Sequence, residues 1–214
     1  MPTHKKTKGT SPHPLPKPNR QISNAMVRRV ASEPQVSIYD RAREFPLHGC
    51  WLMADWQERG ITPVVVARRQ PEDKILFGVY LVDIFCLGLK KVIIHEGYSL
   101  ERFEQDLPTL CSGSPQAISV ELAHEIIYGG IEYAKTIGFD PHPNFKKMKA
   151  DLVLDPPGAH PRNNQVVFGY EGKPFFVSGP DDNGLKFKAV VDTLRRTCGE
   201  GNFDYLVGFE GGPD

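Results

Sequence analysis

The sequence predicts an α+β fold in which a long helix packs on a mostly antiparallel sheet. Residues 61–69 and 75–88 are rich in β-branched and aromatic side chains and are separated by a turn-forming segment, which is the pattern of a hairpin. Residues 117–138 carry apolar side chains at the i, i+3, i+4 and i+7 spacing of an amphipathic helix. The last 60 residues have the pattern β-β-α-β. Hairpin-linked strands pair antiparallel, so these observations together indicate an α+β class.

The chain divides by composition into three parts. Residues 1–32 form a basic, proline-rich arm that is predicted to be disordered, because it has too few large apolar residues to offset the entropy of ordering. Residues 33–154 form an α+β core of helices around the hairpin. Residues 155–214 form the β-β-α-β unit, which we expect to pack on the core as one globule.

The elements of the core follow in order. Residues 34–45 and 49–60 are each predicted to form a helix, the second ending at Gly60 as its C-cap. After the hairpin and a bend at Gly88, residues 90–97 continue the sheet. The remaining core helices are opened by Ser99, by Ser119 and by Pro143, residues that favour helix N-termini.

The C-terminal unit begins after a proline-rich break at residues 155–164. A hairpin over residues 165–179 turns at Glu171-Gly172, a pair compatible with a type I′ turn. A helix over residues 185–198 follows, and residues 203–209 close the unit as a strand.

Composition excludes several classes of protein. The chain has 214 residues, of which 40% are hydrophobic and 24% charged, as in ordinary globular proteins. It contains neither the ~18 consecutive apolar residues of a membrane helix nor a secretory signal. Its four cysteines are widely separated and never form CxxC, which argues against a zinc ribbon or a disulfide scaffold. These features predict a cytoplasmic protein with reduced cysteines.

The formal net charge of zero hides an uneven distribution. Residues 1–32 contain seven basic residues and no acidic residue. The rest of the chain therefore holds 19 of the 26 basic residues and all 26 acidic ones, which gives it a net charge of −7. Such an arm can contact nucleic acid or an acidic protein by neutralising phosphates or carboxylates. The alternative is a solvated tail. The candidate binding residues of the arm are Lys5, Lys6, Lys8, Lys17, Arg20, Arg28 and Arg29.

Asp83 interrupts the most hydrophobic part of the chain. Both faces of its predicted strand are apolar, so the strand is expected to lie in the middle of the sheet with Asp83 pointing into a core layer. An unpaired buried carboxylate costs several kcal/mol or takes up a proton. Asp83 therefore needs a partner.

The long helix offers a partner in His124. That residue lies on the apolar stripe, and the small residues Ala123, Gly130 and Ala134 on the same stripe would let the helix approach the sheet closely. Glu121, Glu125 and Tyr128 belong to the opposite face, and the sequence departs from HExxH at Tyr128. A buried Asp83–His124 pair is either an oriented general base or a structural hydrogen bond between helix and sheet.

Other polar groups yield weaker candidates. Cys86 points away from Asp83 by strand alternation, so we interpret it as a small core residue rather than a nucleophile. Asp140 and His142 share no standard metal-binding spacing with His124, so we predict neither a metal site nor a cofactor. Residues 178–184 favour a helix cap over a phosphate site because of their two aspartates.

Several long strings of the chain, "YDRAREFP", "VVVARRQPEDKILFGVYLVDIFCLGLK", "IEYAKTIGFDPH" and "GKPFFVSGPDDN", resemble an uncharacterised family of bacterial cytoplasmic proteins. The resemblance spans residues 36–208 and implies a bacterial origin. It implies no activity and no catalytic residue.

Two functions follow from these features. The first is a cytoplasmic binding protein whose basic arm contacts nucleic acid or an acidic partner, with Asp83 and His124 holding the core. The second is a small hydrolase-like enzyme with its catalytic site at Asp83 and His124. The lack of a nucleophile elbow, a P-loop or a dinucleotide fingerprint favours the first.

Overall fold

A computed structural model describes residues 37–179 and 184–206. Its centre is a five-stranded antiparallel sheet in the order β4-β3-β2-β1-β5. The predicted arm, residues 1–32, lies outside the described residues. The strands of the sheet are β1 (Leu47–Met53), β2 (Ile61–Gln70), β3 (Lys74–Asp83), β4 (Gly88–Ser99) and β5 (Pro115–Ile118).

The predicted hairpin forms the middle of the sheet. Strands β2 and β3 pair without interruption from Ile61 opposite Asp83 to Gln70 opposite Lys74. Two residues of the connecting turn, Glu72 and Asp73, take up left-handed conformations. Strand β4 then pairs with the other edge of β3, so β3 is a central strand as its two apolar faces predicted.

The predicted long helix covers one face of the sheet. It runs as α3 (Val120–His124), a π-helical turn (Glu125–Gly129) and α4 (Gly130–Thr136), and we call residues 120–136 the central helix. The hydroxyl of Ser119 caps its first turn. Close approach to the sheet depends on glycine, because a Cβ atom at Gly88 would lie 2.5 Å from the carbonyl oxygen of Gly130.

The other helices are arranged around this frame. Helix α2 (Leu100–Leu110), capped by Ser99 as predicted, packs Phe103 and Leu107 against the opposite face of the sheet. The N-terminal helix is a 3-10 helix over Ile38–Glu44. The helix predicted after Pro143 forms two short pieces, α5 (Asn144–Lys147) and a 3-10 turn (Ala150–Leu152).

The C-terminal unit matches the predicted pattern in outline. Tyr170 and Lys173 form an antiparallel bridge around Glu171-Gly172, and both turn residues have positive φ, as a type I′ turn requires. Strand β6 (Phe175–Val177), helix α6 (Gly184–Cys198) and strand β7 (Asp204–Leu206) follow, with β6 parallel to β7. The apolar core of this C-terminal unit also contains Cys86, which follows strand β3, and Ile137, which follows the central helix.

Two predicted elements are wrong. Residues 49–53 belong to strand β1 and not to a helix, and only α1 (Trp56–Arg59) is helical before Gly60. Pairing of β1 between β2 and β5, with Cys50 and Leu52 turned inward, outweighs the helical preference of that segment. Residues 165–168 form no strand, because the amide of Val166 bonds to a side chain of the central helix.

None of the helices in the described part of the chain has the length and apolar character that crossing a bilayer needs.

Candidate functional site

Asp83 ends strand β3 and shapes the turn that follows. Its Oδ1 accepts hydrogen bonds from the backbone amides of Phe85, at 3.0 Å, and Cys86, at 2.9 Å. The predicted hydrogen bond to His124 is not formed, since neither ring nitrogen of that histidine has a hydrogen-bond partner among the described residues. The structure therefore does not bring the two predicted catalytic residues together as a pair.

The carboxyl group of Asp83 is nearly inaccessible. Burial raises its pKa, and the nearby charge of Lys90 and the amides of the turn oppose that shift. Asp83 also lines a recess of about 260 Å³ together with Phe85 and Phe175. Cys86, three residues after Asp83, is fully buried, and burial raises its thiol pKa, consistent with a core residue and not a nucleophile.

His124 is the most unusual polar residue of the central helix. It is only 5% exposed, on the buried stripe as predicted, yet neither of its ring nitrogens has a hydrogen-bond partner in the part of the chain that the structure describes. Buried polar atoms in folded proteins nearly always have a hydrogen-bond partner, so an exception needs an explanation. Its ring contacts the edge of the His160 ring, with centroids 4.5 Å apart, and the ring of Tyr128.

His160 belongs to a hydrogen-bonded chain that ends at a buried arginine. Its Nε2 lies 2.9 Å from Oδ2 of Asp155, and Oδ1 of Asp155 accepts a 2.6 Å hydrogen bond from Nη2 of Arg68. One ligand atom from each of His124, Asp155 and His160 fits within 4.8 Å of the others. We call these three residues the His-Asp-His cluster.

The segment that carries Asp155 and His160 is held at both ends. On one side, Arg68 of β2 donates further hydrogen bonds to the carbonyls of Val153, at 2.6 Å, and Phe45, at 3.0 Å. On the other side, the buried carboxylate of Glu125 accepts hydrogen bonds from the amides of Asn163 and Val166. The loop is thus fixed across the central helix and places His160 beside His124.

Tyr128 supports the same loop, since its hydroxyl donates a 2.9 Å hydrogen bond to the backbone carbonyl of Asp155. Burial raises the pKa of this phenol to about 12, so it remains a donor at neutral pH. The sequence had assigned Glu125 and Tyr128 to the face opposite the buried stripe. Both are buried, because the loop covers that face of the helix as well.

The protonation states of the cluster suit a positive ion. Burial, followed by the neighbouring His160, lowers the pKa of His124 to about 4, so its imidazole is neutral at pH 7 and keeps a lone pair. Burial raises the pKa of Asp155, but hydrogen bonds from His160 and Arg68 outweigh it and leave that pKa below its usual value. A neutral imidazole and an ionised carboxylate are the forms that bind metals.

A second carboxylate lies beside the cluster. Glu121, which the sequence placed on the opposite face, is three residues before His124 and lines the same cavity, and its Oε1 lies 4.0 Å from Nδ1 of His160. Hydrogen bonds from its own amide and from Ser119 lower its pKa, which keeps it ionised. Glu121, His124 and His160 line a small cavity of about 10 Å³, roughly the space that the centre of one water molecule needs.

The cluster differs from the metal site considered in the sequence. His142 does not join His124: its amide bonds to the carbonyl of Leu89, and its ring accepts from the amide of Asn144. Asp155 and His160 were missed because they lie in the segment interpreted as a proline-rich break. Their spacing of five residues in a loop carries no periodic signal.

Comparison of the chain with protein-family models, with curated proteins and with solved structures gives no match. The resemblance to an uncharacterised bacterial family stays a prediction.

Proposed function

We propose that the protein binds a divalent transition-metal ion, with zinc as the preferred ion, through His124, Asp155 and His160. The observation that carries the proposal is His124, which is 95% buried beside a histidine and an aspartate and whose two ring nitrogens have no hydrogen-bond partner within residues 37–179 and 184–206. One of these nitrogens would coordinate the metal ion. It would thereby remove a desolvation cost of about 1–3 kcal/mol for an unpaired buried group.

Zinc follows from the chemistry of the donors. Two imidazoles and one carboxylate form a set that zinc accepts in tetrahedral geometry with one further ligand. The same donors suit ferrous iron, but a given nitrogen and oxygen site holds zinc more tightly than iron or manganese in their divalent states. Arg68 would then act on the metal through Asp155, since it fixes the carboxylate oxygen that faces away from the histidines.

Two predictions from the sequence complement this site. The basic arm, residues 1–32, is proposed to contact nucleic acid or an acidic protein, on the strength of its seven basic and no acidic residues. A cytoplasmic location is proposed because Cys50, Cys86, Cys111 and Cys198 are all free thiols, as a reducing compartment would keep them.

The experiment is isothermal titration calorimetry of the metal-free full chain with zinc chloride, alongside thermal unfolding. We expect one zinc per chain and stabilisation of about 2.7 kcal/mol when free zinc is 100 times its dissociation constant. His124→Phe should abolish both effects while keeping the ring contacts. His142→Asn, the matched control, should leave both unchanged. Zinc binding that survives His124→Phe would contradict the proposal.

A further inference from the structure

We infer that the protein has a second binding site, in a cleft beside strand β4, and that this site takes a small phosphate monoester of an apolar organic group. The inference is independent of the proposed zinc site, because none of His124, Asp155 and His160 lines the cleft. It starts from three features of the cleft: its size, its apolar wall and the positive charge of its lining.

The cleft lies where the start of β4, the segment around α5 and the C-terminal unit meet. Strand β4 contributes residues 90–93, Asn144 and Met148 lie at the two ends of α5, and Gly179 and Lys186 belong to the C-terminal unit. The volume of the cleft is about 700 Å³, within the range of ~300–1,000 Å³ that is typical of small-molecule sites. The cleft therefore has room for an organic molecule, and not only for a single ion.

One wall of the cleft is apolar and open to solvent. Ile93 of β4 is 39% exposed, and Met148 at the end of α5 is 36% exposed. Leu81 of β3 and Ile61 of β2, both half-buried, line the same cleft. Apolar side chains that are exposed together in a concave surface indicate a site for an apolar group of a ligand.

Positive charge is concentrated at the same cleft. Lys90, Lys91 and Lys186 all line it, in a chain whose residues 33–214 carry a net charge of −7. Lysine binds phosphate oxygens as a compact point charge, and a phosphate monoester, with a second pKa of about 6, is a dianion above neutral pH. Several positive charges around one cleft favour such a dianion over a monoanion or a neutral molecule.

The carboxylate of Asp83 does not offset this charge. Asp83 lines the recess of about 260 Å³ described above, which adjoins the cleft because Ile61, Lys90 and Gly179 line both. It is the one acidic residue among the described residues that line either space. Asp83 is 6% exposed, and its Oδ1 bonds to amides of the turn after β3, so a ligand in the cleft meets mainly the lysines.

His142 and Asn144 add hydrogen-bonding groups to the lining. The Nδ1 atom of His142 accepts a 3.2 Å hydrogen bond from the amide of Asn144, so the neutral ring carries its proton on Nε2. The amide of His142 donates to the carbonyl of Leu89, which fixes this segment against β4. The Nε2–H group of His142 and the side-chain amide of Asn144 are donors that would orient a phosphate group beside the lysines.

The test is isothermal titration calorimetry of the metal-free full chain with 1-naphthyl phosphate at about pH 8, where the ester is a dianion. We expect one molecule per chain. Glucose 6-phosphate, which has the same head group on a polar organic group, should bind about 10-fold more weakly. 1-Naphthyl sulfate, which has one charge fewer, should bind about fivefold more weakly, the value of a unit charge ~4 Å from a lysine in water. Affinity for either compound equal to that for 1-naphthyl phosphate, or no binding of 1-naphthyl phosphate, would overturn the inference.

A pair of charge reversals tests whether the lysines of the cleft carry the binding. Lys91→Glu reverses an exposed charge in the cleft and should weaken binding of 1-naphthyl phosphate about 10-fold or more. Lys74→Glu, the matched control, makes the same change at an exposed lysine at the other end of the sheet, beside the β2–β3 turn, and should leave the affinity unchanged. Equal weakening in the two variants would assign the binding to the overall charge of the chain and overturn the inference.

A second readout locates the ligand without any substitution. The ring current of bound 1-naphthyl phosphate should shift the methyl NMR signals of Ile93 and Met148, which line the cleft. The methyl signals of Ile126 and Met53, which are buried and do not line it, should keep their positions. Signals of Ile93 and Met148 that stay unchanged at saturation would overturn the inference, whether or not the zinc site stands.

Discussion

Arg68 is the residue on which the geometry of the cluster most depends, and its replacement by methionine makes a quantitative test. Its side chain is 4% exposed and donates to Asp155 and to the carbonyls of Val153 and Phe45. Removing one partner of a buried ion pair costs about 3–5 kcal/mol. We take the lower end because Asp155 is 28% exposed, and add about 1 kcal/mol for each carbonyl left without a donor. The expected loss is about 5 kcal/mol.

The assay is urea-induced unfolding of the metal-free protein, with zinc titration of the folded variant. Arg69→Met is the matched control, since Arg69 is the next residue of β2 but its side chain is 46% exposed and pairs with the exposed Asp73. That control should lose less than about 1 kcal/mol. Zinc affinity of Arg68→Met should fall about 10- to 100-fold. Equal losses in the two variants would refute the assignment of Arg68 as the anchor of the loop.

Three further predictions concern Asp83, Gly88 and the basic arm. Asp83→Ala should lose about 2–4 kcal/mol in urea unfolding by leaving one buried and one partly buried amide unpaired, and Asp83→Asn much less. Because burial raises the folded-state pKa of Asp83, the free energy of unfolding of the wild type relative to Asp83→Asn should fall as pH rises above about 4. A relative free energy of unfolding that rises with pH over that range would contradict this. Gly88→Ala should unfold at a lower urea concentration than Gly172→Ala. Both glycines have positive φ, but only a Cβ atom at Gly88 would collide with Gly130, so equal urea midpoints for the two variants would refute that contact. Deleting residues 1–32 should abolish a salt-sensitive association with nucleic acid. If the shortened chain bound nucleic acid as well as the full chain does at low salt, a role for the arm in that binding would be excluded.

The sequence predicted strands β2, β3 and β4 and the central helix because these segments have strong periodic signals, but it predicted neither β1 nor β5. The β2–β3 hairpin follows from two β-branched runs around a turn, and the Ser119 cap and the apolar stripe define the helix. Strand β1 was missed since its segment has an equally good helical pattern. The segment is a strand because Cys50 pairs with Val66 and with Ile118, in the strands on either side.

The candidate site was predictable in part. The sequence placed His124 on the buried side and Asp83 in a core layer, and both are buried. It paired them because burial demands partners, but Asp83 satisfies that demand with amides two and three residues away. The neighbours of His124 come from a loop whose course is set by Arg68 and Glu125, contacts between residues far apart in sequence that no local pattern reveals.

The most direct test of the zinc site is X-ray absorption at the zinc K edge of the full chain loaded with one equivalent of zinc. The account predicts two imidazole nitrogens and oxygen ligands at about 2.0–2.2 Å in the wild type, and this ligand shell should be absent from His124→Phe, which should not bind zinc at the site. A sulfur ligand at about 2.3 Å, or a shell of oxygens without imidazole, would contradict it.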